Sequence, residues 1–240
     1  MFGELGEGTG GVTDFIRQRM AQFFTGDMGS FEHVFQHEMV HVFQYDIFSR
    51  GRAGANFGAL AQVQPPLWMM EGMAEYFSIG QDHPWTNAWV RDAVLNNTLP
   101  TIQQMTERPD KYFPYRYGLS LWQYVGQRWG DDVIAEIMNA IPSIGIERAF
   151  RRELGYGLDD LSTQWGDAMK QKYLPLVATY DRPREFAEPL LSQRLSGGFA
   201  NYVVAPALSP DGKLISRFLP RTTPDDVELV KAIEDALPKG

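Results

Sequence analysis

His37-Glu38-Met39-Val40-His41 places two imidazoles and a carboxylate at a spacing that can do hydrolytic chemistry. On a helix, positions i and i+4 share one face, so both imidazoles can aim a nitrogen at one metal ion. Glu38 follows the first imidazole directly. In such a helix it stays off the metal and can take a proton from water that the metal has acidified. The rival reading is a helix whose histidines are ordinary, and five residues alone do not decide between the two. A second cluster, Trp68-Met69-Met70-Glu71-Gly72-Met73-Ala74-Glu75-Tyr76, offers what a metal site would still need. A Glu71 carboxylate on a second packed helix can complete a tetrahedral site and leave the fourth position for water. Glu75, one turn on, can accept the second N–H of a metal-bound histidine and fix its tautomer, or it can be a solvated helix carboxylate. His83 is the one histidine downstream of the motif. It lies in the turn-like Gln81-Asp82-His83-Pro84, where solvation is its ordinary fate.

The elements that must position these groups are legible in outline. Ser30 is a plausible N-cap, and 31–49 lacks proline and glycine, so one helix can run through the motif. Pro65-Pro66 ends an irregular, Gly- and Ala-rich stretch (51–66) that reads as a loop over the site. Leu67–Ile79 then reads as a helix with an apolar face. Before the motif, 3–11 reads as a flexible opening and 15–24 as a strand, or a short helix from Asp14. After the second cluster, helices are expected over 86–97, with Thr86 as cap, 118–129, 131–140, Ile146–Leu154 and Leu158–Tyr173. Residues 99–111 read as a connection. The expected fold is mainly α (α+β), with a small N-terminal β element.

These residues resemble the gluzincin branch of zinc peptidases. A metzincin would need a third histidine where Ile47 stands, with a glycine turn that is absent. The segment from Leu67 to Ala74 is similar to the L-W-x-x-E-G-x-A segment of aminopeptidase-type gluzincins and of smaller bacterial peptidase MA-like domains. The resemblance implies a zincin-like metallopeptidase fold, Zn²⁺ held by His37, His41 and Glu71, Glu38 as general base, and Glu75 orienting the first histidine. Pro114-Tyr115-Arg116-Tyr117-Gly118 is similar to the P-Y-x-x-G stretch that opens a later helix in those enzymes. There the tyrosine donates its hydroxyl to the oxyanion, which maps to Tyr115, or to Tyr117 if the alignment slips by two. A preorganised donor of that kind stabilises the developing charge by roughly 3–4 kcal/mol. Aromatic packing is the competing role for both tyrosines. The likeness covers 29–175, closing with Gly155-Tyr156-Gly157-Leu158-Asp159-Asp160-Leu161 and Trp165. The upstream G-x-M-E-N motif that grips the substrate amine in aminopeptidase relatives has no counterpart here. An endopeptidase or narrow processing enzyme is therefore favoured over an aminopeptidase.

The expected organisation is a metallopeptidase domain over 1–175, a linker over 176–195, charged and proline-bearing at 181–189, and a distinct segment over 196–240. That segment reads as strand-like Tyr202-Val203-Val204-Ala205 and a hairpin over 208–216 around Pro210-Asp211-Gly212. It resembles one unit of the S-P-D-G-K repeat of TolB-like β-propellers, truncated or degenerate. Residues 223–237 instead have helical spacing. The resemblance implies a protein partner at this segment and an exported or periplasmic setting.

Composition excludes several classes. The 240 residues are 44% hydrophobic and 22% charged, ordinary for a globular chain. A net charge of −8, with no basic cluster interleaved with aromatics, excludes nucleic acid as the main partner. With no cysteine there are no disulfides, thiolate ligands or cysteine nucleophiles, which fits an exported and a cytosolic protein equally. Residues 1–13 carry no signal-peptide pattern, and no apolar run is long enough to span a membrane. The expected activity is hydrolysis of a peptide or protein substrate. Two rivals are a catalytically idle zinc-binding interaction module and a zinc hydrolase of non-peptide amides. Fold does not separate them.

Overall fold

The computed structural model describes residues 10–14, 19–24, 26–49, 65–181, 204–208, 214–218 and 231. The chain divides into two compact units, Met1–Thr179 and Tyr180–Gly240.

In the first unit, strands β1 (Gly11–Asp14) and β2 (Arg19–Gln22) form an antiparallel hairpin, with Gly11 opposite Gln22 and Asp14 opposite Arg19. The first strand thus starts where a flexible opening is expected, and among the described residues the expected strand over 15–24 is found at Arg19–Gln22. Two such short strands are not stable alone. They lean on helix α1 (Met28–Ser49), where the Gln22 amide donates to the Phe31 carbonyl at 2.5 Å. α1 begins earlier than the Ser30 cap predicts. The Asp27 carboxylate accepts the Ser30 N–H at 2.6 Å, and this charged acceptor serves the exposed first turn.

Helix α2 (Leu67–Ile79) follows, and then α3 (Pro84–Leu95). The cap of α3 is His83 and not Thr86: the His83 ring accepts the Thr86 N–H, and Pro84 takes the first helical position, where it needs no donor. The expected connection over 99–111 contains a short helix, α4 (Ile102–Glu107). A reciprocal capping box between Thr101 and Gln104 sets it. Helix α5 (Pro114–Trp129) starts one turn before the predicted Gly118, so the tyrosine motif forms its first turn. α6 (Asp132–Ile144) runs past the predicted end at Ala140, with Pro142 tolerated in its last turn. α7 (Ile146–Leu154), α8 (Leu158–Tyr173) and a 3₁₀ turn (Leu174–Ala178) close the unit. Among the described residues no helix is long and apolar enough to cross a membrane. The unit is mainly helical.

Its core is organised on the α2–α5 crossing. A Cβ on Gly72 would lie 2.3 Å from the Gly118 carbonyl carbon, so the two backbones touch there and only glycine fits. Trp68 and Trp122 are fully buried on either side of this crossing and pack with Phe150. Their indole N–H groups are satisfied by Thr106 Oγ1 at 2.9 Å and the Met69 carbonyl at 3.0 Å. Glu71 therefore projects from a helix pinned by this crossing.

In the second unit, β3 (Val204–Leu208) and β4 (Leu214–Phe218) pair antiparallel with an irregular register. The strands lie within or beside the expected hairpin. The Pro-Asp-Gly turn falls outside the described residues, as do the loop over 51–64 and the helix expected over 223–237 except Lys231. Among the described residues this hairpin supplies two strands, against the four of a propeller blade.

Candidate metal centre

His37 and His41 stand one turn apart on the inward face of α1, 8% and 7% exposed. Their Nε2 atoms each lie 3.2 Å from the same oxygen, Glu71 Oε2. The three ligand atoms sit within 4.8 Å of one another. Bonds of about 2.0–2.1 Å to a tetrahedral ion put neighbouring donors roughly 3.3 Å apart, so the spacing fits such an ion. Two imidazoles and a carboxylate are also a donor set that suits borderline divalent metals. This buried His/Glu group could hold a metal ion.

A second layer orients the first. Glu75, 4% exposed, takes the His37 Nδ1–H on Oε1 at 3.0 Å, and the His33 ring lies 3.2 Å from the same oxygen. Its other oxygen accepts from Arg116 Nη1 at 3.0 Å. The Nδ1–H is thereby donated outward, and Nε2 is the nitrogen aimed at Glu71. On the other side His41 Nδ1 lies 2.7 Å from Gln44 Oε1, and Gln44 Nε2 donates to the Met70 carbonyl at 3.0 Å.

His33, His37 and Glu75 form a second group with metal-ligand spacing. It suits a cation less well. The Arg116 guanidinium already neutralises Glu75, and His37 would have to offer its Nδ1.

The electrostatics follow from this geometry. Burial pulls the His37 imidazolium down, but hydrogen bonds to Glu71 and Glu75 outweigh it and push the group up to about 9. Burial raises Glu71 and Glu75, yet their histidine partners prevail and hold both carboxyls down at about 2. Both carboxylates are thus anionic at neutral pH.

Glu38, 7% exposed, lies beneath the hairpin. Thr13 Oγ1 donates to its Oε2 at 2.6 Å, and a Cβ on Gly11 would come within 2.8 Å of its Cγ. Strand β1 therefore fixes the side chain that follows His37. Tyr115 stacks on His37 with ring centroids 5.7 Å apart and planes at 19°. Burial raises its phenol well above the usual tyrosine range, and the nearby Glu71 carboxylate, to which it hydrogen-bonds, adds to this.

The structure thus brings His37, Glu38, His41, Glu71, Glu75 and Tyr115 together. Tyr117 is not among them. Two positions along a helix turn a side chain by roughly 200°, and Tyr117 is buried against Trp89 and Tyr112 on the other face of α5. Its ring packs there.

His33, Gln44, Tyr45, Arg116 and Thr13 escape the sequence reading. His33 and Tyr45 extend the His37–His41 stripe by one turn at either end, a periodicity visible in the sequence; the Tyr45 ring stacks on His41 at 6.2 Å. Gln44 is three positions past His41, also within reach of a pattern argument. Arg116 and Thr13 meet their partners only through tertiary packing. His83, beyond capping α3, lies 3.3 Å from Arg116 Nη1. Compared with descriptions of protein families, with curated proteins and with solved structures, the chain finds no match.

Proposed function

We propose that this chain is a zinc-dependent peptidase of the gluzincin type, with a zincin-like first unit. One observation carries the reading: two imidazole Nε2 atoms from α1 converge on a single Glu71 oxygen from α2 at equal distances of 3.2 Å. Hydrogen bonding among the three groups accounts for the distances by itself; what favours a metal is that both Nδ1 atoms are engaged outward, by Glu75 and Gln44, so that both Nε2 atoms face one carboxylate oxygen. The residues that would hold Zn²⁺ are His37, His41 and Glu71. When bound there, zinc supplies Lewis acidity, polarising a carbonyl and lowering the pKa of water toward ~7.

The remaining steps belong to the chain's own side chains. Glu38 takes the proton of the attacking water and delivers it to the leaving amine as the C–N bond breaks. Thr13 holds Oε2 of that carboxylate, so the proton chemistry falls to Oε1. Tyr115, kept protonated by its raised pKa, donates its hydroxyl to the carbonyl oxygen as charge builds there. Glu75, fixed by Arg116, holds the His37 tautomer. The substrate is a peptide or protein, and cleavage within a chain is favoured over trimming from an amino end.

The test is metal content by mass spectrometry alongside cleavage of a random peptide library, free and N-blocked, for wild type and Glu38→Gln. Stoichiometric zinc in both, with cleavage down about 10²–10⁴-fold in the variant, is expected. An undiminished rate in Glu38→Gln would remove the base assignment. Zinc without any wild-type turnover would favour an idle binding module, and turnover confined to non-peptide amides the other hydrolase.

A further inference from the structure

Glu38 lies to one side of the His37–His41 stripe of α1, and a general base must stand on the side from which water and substrate arrive. Seven residues turn a helix by about 700°, so Tyr45 comes back to within roughly 20° of Glu38 around α1. Long helical side chains lean toward the N-terminus, over the preceding turn. Tyr45 does so: its ring stacks on the His41 imidazole, with centroids 6.2 Å apart and planes at 28°. It is half-buried. Burial raises its phenol, and the Glu71 and Glu38 carboxylates, both near it, add to this. Tyr45 therefore bounds the candidate centre beyond His41, as Tyr115 bounds it at His37.

The hairpin covers the first half of this flank of α1. A Cβ on Gly10 would lie 3.2 Å from the Val34 side chain, and Thr13 donates to Glu38. Past Glu38 the flank opens, for Val42, one turn on, is 40% exposed. Val42 and Tyr45, three positions apart, are neighbours on the helix surface. They make an apolar, half-open edge beside His41 and on the side of the base. The ring, at the level of His41, stands roughly 4.5 Å along the axis from Glu38. An extended peptide advances about 3.3 Å per residue. A chain running along α1 with its scissile carbonyl beside Glu38 thus meets the ring within one or two residues.

We propose that Tyr45 and Val42 contact the substrate and select an apolar side chain close to the scissile bond, on the side toward the C-terminal end of α1. The inference rests on the proposed peptidase reading and names a substrate class for it.

The zinc-loaded full chain should be profiled on a peptide library varied at each residue flanking the cleaved bond, with cleavage sites read by mass spectrometry. Wild type should favour aliphatic and aromatic over charged residues at one flanking position. Tyr45→Ala should lower that preference about 10-fold and leave the other positions alone. Tyr45→Phe, which keeps the ring, should keep the preference, and Val42→Ser should weaken it. Phe43→Ala should match wild type, because Phe43 is turned by roughly 200° from Tyr45 and is exposed on another side of α1. A purely structural Tyr45 would lower the rate on all peptides alike.

The inference is overturned if wild type shows no apolar preference, or if Tyr45→Ala with wild-type zinc content keeps the wild-type profile. It is equally overturned if Tyr45→Phe shifts the profile as far as Tyr45→Ala does. Should Tyr45→Ala not fold, Val42→Ser decides, since Val42 is exposed, and an unchanged profile there overturns the inference. A wild type that cleaves no peptide sinks the proposed function and this inference with it. A cleaving wild type whose profile the variants leave unaltered sinks this inference alone.

Discussion

Helix α6 turns Val133, Ile134, Ile137, Met138, Ala140 and Ile141 inward, all of them apolar, whereas its neighbour α1 buries four polar side chains, His37, Glu38, His41 and Gln44, beside Phe48, with Val40, Tyr45 and Ile47 half-buried against the core. Phe35, Val42 and Phe43 of α1 are left exposed. The two helices are held in different ways. Each large apolar side chain that α6 buries contributes about 1.5–3 kcal/mol. Every polar group that α1 buries costs stability unless it finds a partner, and all four find one: Glu71, Glu75, Thr13 and the Met70 carbonyl, through Gln44, serve them. α6, with the Trp68–Trp122–Phe150 cluster, supplies a rigid frame. α1 gives up apolar burial where the candidate site lies, and polar contacts with α2 and β1 contribute to its registry there.

On the proposed reading a bound metal would add a further tie between α1 and α2, and the largest effect expected is that of zinc itself. At a thousand times its dissociation constant a ligand that binds only the folded state adds about 4 kcal/mol. Denaturant unfolding with and without zinc should show a gain of that order. No gain would mean that α1 is already as secure as α6. Of comparable size is the loss from Ile137→Ala, about 2–5 kcal/mol for a fully buried aliphatic side chain. Chelator competition should find its zinc affinity unchanged. A joint loss of stability and affinity would show that the frame and the site are one cooperative element.

The same division explains what could be read from the sequence. The histidine pair and its glutamate are local: one helical turn separates His37 from His41, and another separates Glu71 from Glu75. The bounds of Leu67–Ile79, Ile146–Leu154 and Leu158–Tyr173 were legible too, because each is framed by Pro or Gly. Apolar periodicity is a weaker guide on α1, whose inward stripe is polar. The capping box of Thr101 and Gln104 was present in the sequence as Thr-x-x-Gln, yet the short polar helix behind it lacks an apolar run to announce it. Asp27 and Ser30 can each cap a helix, and only the folded chain shows which does. For Tyr115 and Tyr117, helical geometry allows one of the two to face the site but does not say which. That choice follows from how α5 rolls on α2 at the Gly72–Gly118 contact. Partners such as Arg116 for Glu75 and Thr13 for Glu38 join segments far apart in the chain, and nothing local in either residue announces the other.

The smallest expected effect, and the one that separates the two helices most cleanly, is a pH dependence. In metal-stripped protein His37 is raised from 6.5 to about 9 by Glu71 and Glu75, against the opposing pull of burial. A raised imidazolium stabilises the fold fully below 6.5, and that contribution is lost as pH climbs through about 9. Glu71 and Glu75, lowered from 4.5 to about 2, contribute fully above 4.5 and lose that contribution as pH falls through about 2. The site therefore adds most between 4.5 and 6.5, and stability should decline on the alkaline side from 6.5 to about 9. Urea midpoints across that range should show the decline in wild type and a shallower one in Glu75→Gln, which removes one of the two carboxylates that raise His37. Ile137→Ala should lower the whole curve without changing its shape, because no titrating side chain is among the buried residues of α6. Saturating zinc should flatten the alkaline limb, since His37 binds a metal only in its unprotonated form. A wild-type curve level from 6.5 to 9 without metal, or an Ile137→Ala curve of altered shape, would show that the polar face of α1 is not an independent element of the fold.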